Sequence, residues 1–366
     1  MHNPICNVTI AAIRAGDEAL DRRLRGPSKE IALLKDEGLL IAPLPKEVGG
    51  RGWGTSHSGA FPMCDLLMTL GSASLPIARI YEGHVNAVKL VTTFGTPAQL
   101  NSIAAAIHDG ALMGVWGADS ATPVVLDIEQ EMLTGRKAFA SGLGDVQIGI
   151  VTARSNQGTY MVIVDANDID RAYLEEWDVA AMVGSQSGGF DCVNLPAEPS
   201  SILGGANDIF AEPIFHGGIW RLTACYAGAL CRIAHLLSVA VRCRVGVSAT
   251  LSEQRVAHVA VEAETASLWA RHACQLVEQE GSDANLAVQT VLFARQAIEA
   301  ASERAIVITE RAMGTAAFHR ASEIGRLMRD LRFYLRQADL DGKLTLATTL
   351  WRQKHDDLQG TGCSRT

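Results

Sequence analysis

The sequence is poor in the features that would make it a disulfide scaffold, a membrane span or a nucleic-acid binder. Aromatic residues make up 5% of the 366 positions, and basic residues do not outnumber acidic ones. A net charge of −8 argues against a broad nucleic-acid surface. The eight cysteines (Cys6, Cys64, Cys192, Cys225, Cys231, Cys243, Cys274 and Cys363) form no CxxC. Cys231 and His235 stand four apart, but no second pair completes a zinc pattern, so no metal site is expected and reduced cytoplasmic thiols are. The N-terminus has no basic region followed by an apolar core, so no secretory signal is expected. The longest apolar stretch, Ile219 to Val241, is interrupted by Arg221 and Arg232 and reads as a core helix rather than a membrane span.

What is abundant is alanine and leucine in helical periodicity, which favours a mainly α chain. Residues 1–111 read as an N-terminal helical domain: Ile31-Ala-Leu-Leu34 leads into a stop at Gly38, Pro43 and Pro45, and Gly95-Thr-Pro97 ends one helix and begins another. Residues 112–205 change character. Short runs such as Val124–Leu126, Ile148–Thr152, Tyr160–Val164 and Phe190–Leu195, separated by turn formers, suit a small antiparallel barrel or sandwich. Residues 206–366 return to long helices. Val259, Ala263, Ala266, Ala270, Ala273 and Val277 form one stripe, and Val291, Ala294, Ile298, Ala301, Ala305, Ile308 and Ala312 form another. Two such stripes around Glu280-Gly-Ser282 predict packed antiparallel helices, as in a four-helix bundle.

Several motifs, in order, resemble the acyl-CoA dehydrogenase superfamily over nearly the whole chain. Leu39-Leu-Ile-Ala-Pro-Leu-Pro-Lys-Glu-Val-Gly-Gly-Arg-Gly52 is similar to its Pro-Glu-x-Gly-Gly-x-Gly loop, and Phe94-Gly-Thr-Pro-Ala-Gln99 to its G-x-x-x-Q helix start. Leu133-Thr-Gly-Arg-Lys-Ala-Phe-Ala-Ser141 resembles its N-G-x-K-x-W-I-T strand. Arg242-Cys-Arg-Val-Gly246 with Gln254 resembles its R-x-x-F-G segment, and Gly314 to Arg329-Asp330 reproduces a Gly-to-Arg-Asp interval.

The resemblance implies an N-terminal helical domain, a small β-barrel and a C-terminal four-helix bundle. It also implies a homotetramer or homodimer holding FAD, or FMN in its place. Carried onto this sequence, Phe139 takes the place of an aromatic that packs on the flavin, and Ser141 that of a hydroxyl at the flavin N5 edge. Arg242 and Gln254 take positions that reach the pyrophosphate or adenylate, and Gly314 and Thr315 let backbone approach the same region. A guanidinium suits a diphosphate and a glycine permits close backbone contact.

The sequence also departs from that pattern. Removing an α-proton while hydride leaves for the flavin requires a base. The family's glutamate position, eight residues after Arg-Asp, holds Ala338, and the alternative position before an arginine holds Trp220. Asp339 is one step away, about 100° around a helix. The T-E-P-x-x-G-S-D loop is replaced by Val115-Trp-Gly-Ala-Asp-Ser-Ala-Thr-Pro123, which weakens the inference of CoA binding.

These departures favour the flavin monooxygenases that share the fold and react reduced flavin with oxygen, for which Ser141-Gly142 and Gly314-Thr-Ala-Ala-Phe-His-Arg320 are similar. Such a site needs hydrogen-bond donors in an enclosure that excludes water. His84, Ser141 and His319 are the candidates. Arg329 and Asp330 read as structural, and Tyr334 and Arg336 as secondary candidates for substrate contact. The expected activity is a flavin-dependent oxidoreductase of the cytoplasm, oxygen-using, acting on an acyl or aromatic thioester or a related small molecule. A flavin reductase or another electron donor is its expected partner. Two alternatives stay open: a dehydrogenase whose base is Asp339, and a binding homologue without catalysis.

Overall fold

The computed structural model describes residues 4–337 and 339–359, with the side chains of Val247 and of residues 356–359 outside that description. The chain divides into two compact units, 1–211 and 212–366.

The first unit opens with α1 (Asn7–Asp21), α2 (Ser28–Asp36), α3 (Ala60–Ala73), α4 (Leu75–Phe94) and α5 (Pro97–His108). The stop read at Gly38 is real: α2 ends at Asp36 and Gly38 adopts φ +65°. At Gly95-Thr-Pro97, Thr96 Oγ1 accepts from Gln99 N (3.2 Å) and Thr96 N donates to Gln99 Oε1 (2.9 Å), a reciprocal cap that starts α5. Gln99 Nε2 also donates to the carbonyls of Ser200 (2.9 Å) and Ile202 (2.8 Å), fastening that helix start to the strand region.

Ten short strands follow: β1 (Met113–Trp116), β2 (Val125–Asp127), β3 (Met132–Thr134), β4 (Arg136–Ala140), β5 (Ile148–Ser155), β6 (Gly158–Asp165), β7 (Ala172–Tyr173), β8 (Gly188–Asp191), β9 (Leu195–Pro196) and β10 (Ile202–Leu203). One sheet runs β10-β6-β5-β2-β3-β9, with β1 parallel to β5; the other runs β4-β8-β7. The pairing is mostly antiparallel, with parallel exceptions at β1–β5 and β2–β5 that the partial alternation in sequence did not announce. Because α4 packs on β1 within the same unit, residue 111 marks a change of secondary structure rather than of compact body, and the break between bodies falls at 211/212.

The second unit contains α6 (Ile214–Gly217), α7 (Ile219–Val241), α8 (Val247–Val277), α9 (Ala284–Met313), α10 (Glu323–Tyr334) and α11 (Leu340–Gln359). Helix α9 packs against α7, α8 and α11. Both predicted stripes lie in the core, with Val259 to Ala273 and Val291 to Ala305 buried, and their alanines let α8 and α9 approach closely. Residues 214–241 form one helical stretch long and apolar enough to cross a membrane. Trp220, Cys225 and Tyr226 on it are wholly buried inside the unit, as expected for a core helix.

Candidate functional site: a bulged strand end and a glycine turn

In the first unit the site starts from a buried lysine. Lys137 on β4 is inaccessible to solvent, and its ammonium meets Asp119 Oδ1 (2.6 Å), Thr152 Oγ1 (2.8 Å) and the Gly117 carbonyl (3.3 Å). Three acceptors for three donors make that burial tolerable and fix the strand. Immediately beyond it the register with β8 slips: Lys137 faces Phe190 and Ala140 faces Gly188, so three steps along β4 meet two on β8. The extra residue is a β-bulge. Phe139 lies in it with φ +55° and 64% of its surface exposed. A bulky residue in the left-handed region costs of order 1–3 kcal/mol, and such outliers gather at functional sites. The ring keeps one edge-on contact, to Trp177 at 6.1 Å.

Two residues on, Ser141 is half-buried and tied to a loop that carries two further left-handed residues, Met182 and Gln186. Trp116 Nε1 donates to the Ser141 carbonyl (3.2 Å), Gly142 N to Ser185 O (2.9 Å) and Leu143 N to Gln186 O (3.0 Å). The buried Ser187 hydroxyl donates to Ser141 Oγ (3.0 Å), and Ser185 Oγ lies 2.8 Å behind it and 2.7 Å from Met182 O. A hydroxyl has one proton. Since Ser141 receives one, its own proton is left to point away from this chain of serines, and among the described residues it has no acceptor.

His84 belongs to the frame. It is wholly buried on α4, with Nε2 2.8 Å from Leu40 O and Nδ1 accepting from Met113 N at 3.1 Å. The second bond requires an unprotonated Nδ1, so Nε2 carries the proton and donates to Leu40. Burial pushes the imidazole down to about 4, against a smaller upward pull from the Leu40 carbonyl. Both nitrogens are therefore committed to backbone, which leaves His84 no donor for a substrate and corrects its selection as a catalytic candidate.

The second unit presents a different set of groups. Helix α9 ends at Gly314, whose φ of +59° and ψ of −143° are open to glycine almost alone, and whose Cβ position is empty space. Thr315 lies on the 3-10 turn Gly314–Phe318 and His319 is the extended residue that ends it, both exposed. Arg242 and Gln254 are exposed on either side of the α7–α8 elbow, and among the described residues their side chains have no protein partner. The residue that joins elbow to turn is Arg244, which sequence reasoning passed over: its Nη2 donates to Ala312 O (2.7 Å) and its Nη1 to Ser252 Oγ (3.0 Å). Its only signal was being the second arginine of Arg242-Cys-Arg244.

The positions read as lacking a base have their own arrangements. Ala338 lies outside the described residues. Trp220 is buried, and its Nε1 donates to Glu278 Oε1 (3.0 Å), which also takes Arg221 Nη2 at 2.6 Å. Asp339 (φ +59°) precedes α11, with its carboxylate beside Gly342. The charged run on α10 is spent on ion pairs: Arg332 with Glu310 (2.7 Å), and Arg336 beyond it with Glu303 (2.6 Å) and Glu299 (2.8 Å). Tyr334 is buried, its carbonyl accepting from Tyr226 Oη at 2.6 Å.

No family model and no curated protein matches the sequence. Solved structures do match. A complex of TdsC from Paenibacillus sp. A11-2 with FMN and indole superposes with a TM-score of 0.79 at 18% identity, covering 95% of this chain and 96% of that one. KijD3 with FMN and a dTDP-amino-keto-sugar gives 0.79 at 16% identity over 98% and 93%. Butyryl-CoA dehydrogenase from Megasphaera elsdenii gives 0.75 at 16% identity over 95% and 99%. The chain has the acyl-CoA dehydrogenase fold. That fold is shared with flavin-dependent monooxygenases, TdsC being a dibenzothiophene monooxygenase.

Each unit, taken by itself, carries groups of the kind a flavin uses. The exposed ring of Phe139 offers an aromatic face, and Ser141 offers a hydroxyl whose proton is uncommitted. Gly314 offers backbone without a Cβ, and Arg242 a guanidinium without a carboxylate. Seven cysteines are described and all are free thiols; Cys363 lies outside the described residues. Cys231 turns to Ser267 (3.3 Å), and among the described residues no group of three or more His, Cys, Asp or Glu is placed to hold a metal.

Proposed function

We propose that the protein is a flavin-dependent oxidoreductase that uses oxygen, acting on a small aromatic or acyl molecule. The observation that carries the flavin is the pair Phe139 and Ser141: a strained, exposed aromatic and, two residues away, a hydroxyl held as an acceptor so that its own proton is free. FMN and FAD both suit this reading. TdsC and KijD3 were solved with FMN. If the cofactor is FAD, Arg242 and Gln254 are suited to its pyrophosphate and adenylate.

The flavin, reduced by a separate reductase, would supply the electrons for oxygen chemistry. The chain's own residues orient and exclude. Ser141 presents a hydrogen-bond donor whose direction Ser187 sets, and Phe139 covers an aromatic face. His319, exposed at the end of the turn after Gly314, is the remaining donor carried over from the sequence. What favours oxygenase over dehydrogenase is the state of the carboxylates: Glu278 beside Trp220 is held by Arg221, and the position eight residues after Arg329-Asp330 holds alanine. A carboxylate held in an ion pair is a poor base for a carbon acid. The assembly proposed is a homotetramer or homodimer in the cytoplasm.

The test is rapid mixing of the anaerobically reduced, flavin-loaded protein with oxygen. A transient spectrum distinct from both reduced and oxidised flavin supports the reading. Turnover of saturated acyl-CoAs with an artificial electron acceptor, abolished by Asp339→Asn, would replace it with the dehydrogenase.

A further inference from the structure

The first unit contains a cavity of about 340 Å3 that the reading above does not use. It lies between the α1–α2 corner, which supplies Arg23, Arg25 and Pro27, and the loop supplying Trp177, Gln186 and Ser187. Its volume falls at the lower end of the range of small-molecule sites, enough for one or two rings. Pro27 and Trp177, both largely buried, are its apolar ring-bearing lining residues.

The charge of the lining is one-sided. Arg25 is spent within the fold, its two terminal nitrogens on the buried Glu30 carboxylate at 2.7 and 2.5 Å. Arg23 is exposed and donates to the Trp177 carbonyl, and among the described residues it has no acidic partner. The cavity therefore carries one guanidinium without an acidic partner among the described residues, bonded to the Trp177 carbonyl. Arg23 (φ +54°) and Gln186 (φ +45°) both hold left-handed backbone conformations, an independent sign that this corner is shaped for more than packing.

We propose that this cavity binds a small aromatic carboxylate, with Arg23 on the carboxylate and Trp177 and Pro27 against the ring. A planar guanidinium matches a carboxylate, and apolar rings in the lining select a ring over inorganic phosphate. The cavity also adjoins the residues proposed for the flavin. Trp177 touches Phe139 edge-on at 6.1 Å, and Ser187 donates to Ser141 at 3.0 Å. A ligand here would press on both, so occupancy and flavin affinity are coupled; that part alone rests on the flavin reading.

Isothermal titration of the flavin-free full chain with benzoate tests the site. Saturable binding is expected, with inorganic phosphate and neutral indole each weaker by about tenfold or more. Arg23→Gln is expected to weaken benzoate by about tenfold or more, and Arg23→Lys by less. Absence of benzoate binding, equal binding of phosphate or indole, or an Arg23→Gln variant that binds as well as the wild type overturns the proposal. Arg23 is exposed, so its loss leaves the fold standing, and an unchanged melting temperature verifies that. Flavin titration at saturating benzoate should shift flavin affinity about fivefold or more, and Ser187→Ala should abolish the shift. If benzoate binds and flavin affinity does not move, the coupling is wrong and the site stands. If no flavin binds under any condition, the flavin reading fails and the titration result is untouched.

Discussion

Ser187 donates its hydroxyl proton to Ser141 across 3.0 Å, and this makes Ser141 a donor to whatever lies outside the protein. Ser187→Ala removes the incoming proton and frees the Ser141 hydroxyl to rotate. A stability loss of about 1 kcal/mol is expected, since one largely buried hydrogen bond is lost. Flavin affinity should fall several-fold, and Ser187→Thr, which keeps the hydroxyl, should recover most of it. Flavin fluorescence titration and urea melts measure the two effects separately, and a variant with altered stability but unaltered flavin binding would reduce Ser187 to a packing residue.

Phe139 gives a second separation of function from stability. Its ring is mostly exposed and its backbone is strained. Asparagine tolerates the left-handed region, so Phe139→Asn exchanges backbone strain for the lost Trp177 contact and should leave stability within about 1 kcal/mol of wild type. If the ring packs on a flavin, affinity should fall by about tenfold. Equal affinity in the two proteins would remove Phe139 from the site.

The fold was legible because its signals are local and repeated. The stripes from Val259 and Val291 predict packed helices, and Gly95-Thr-Pro97 predicts a helix junction whose reciprocal Thr96–Gln99 cap is found. The site was less legible. A histidine on an apolar helix reads identically whether it faces a substrate or a carbonyl, and only the Leu40 and Met113 contacts distinguish the two for His84. The bulge at Phe139 depends on register with β8, fifty residues downstream, which no local pattern carries. Ser187 carries no local signal either, because its partner, Ser141, is 46 residues away in sequence.

His84 should make the protein acid-sensitive in a defined window. Its folded-state value is lowered to about 4 from the ordinary 6.5, so the unfolded chain binds the proton more readily. The contribution is complete above pH 6.5 and is lost progressively as pH falls toward 4, on the order of 3 kcal/mol in total. Urea unfolding at pH 7, 5.5 and 4.5 would follow it. His84→Leu should flatten that dependence while lowering stability at pH 7 by a few kcal/mol, because two buried backbone groups lose their partner.

Arg242 and Gln254 make the cofactor distinction. Both are exposed without protein partners among the described residues, so alanine at either should change stability by less than about 0.5 kcal/mol. If they hold the pyrophosphate and adenylate, the substitutions should weaken FAD by about tenfold and FMN much less. Equal losses for both flavins would mean that these side chains do not reach the adenylate.

The central claim is that this chain, on the acyl-CoA dehydrogenase fold, binds a flavin through Phe139 and Ser141. Anaerobic titration of the purified protein with FMN and FAD, oxidised and reduced, followed by absorbance and by equilibrium dialysis, tests it most directly. Saturable binding of one flavin per chain, weakened by Phe139→Asn and by Ser141→Ala, is the predicted result. A protein that takes up neither flavin in either redox state would contradict the account and leave a binding homologue without catalysis.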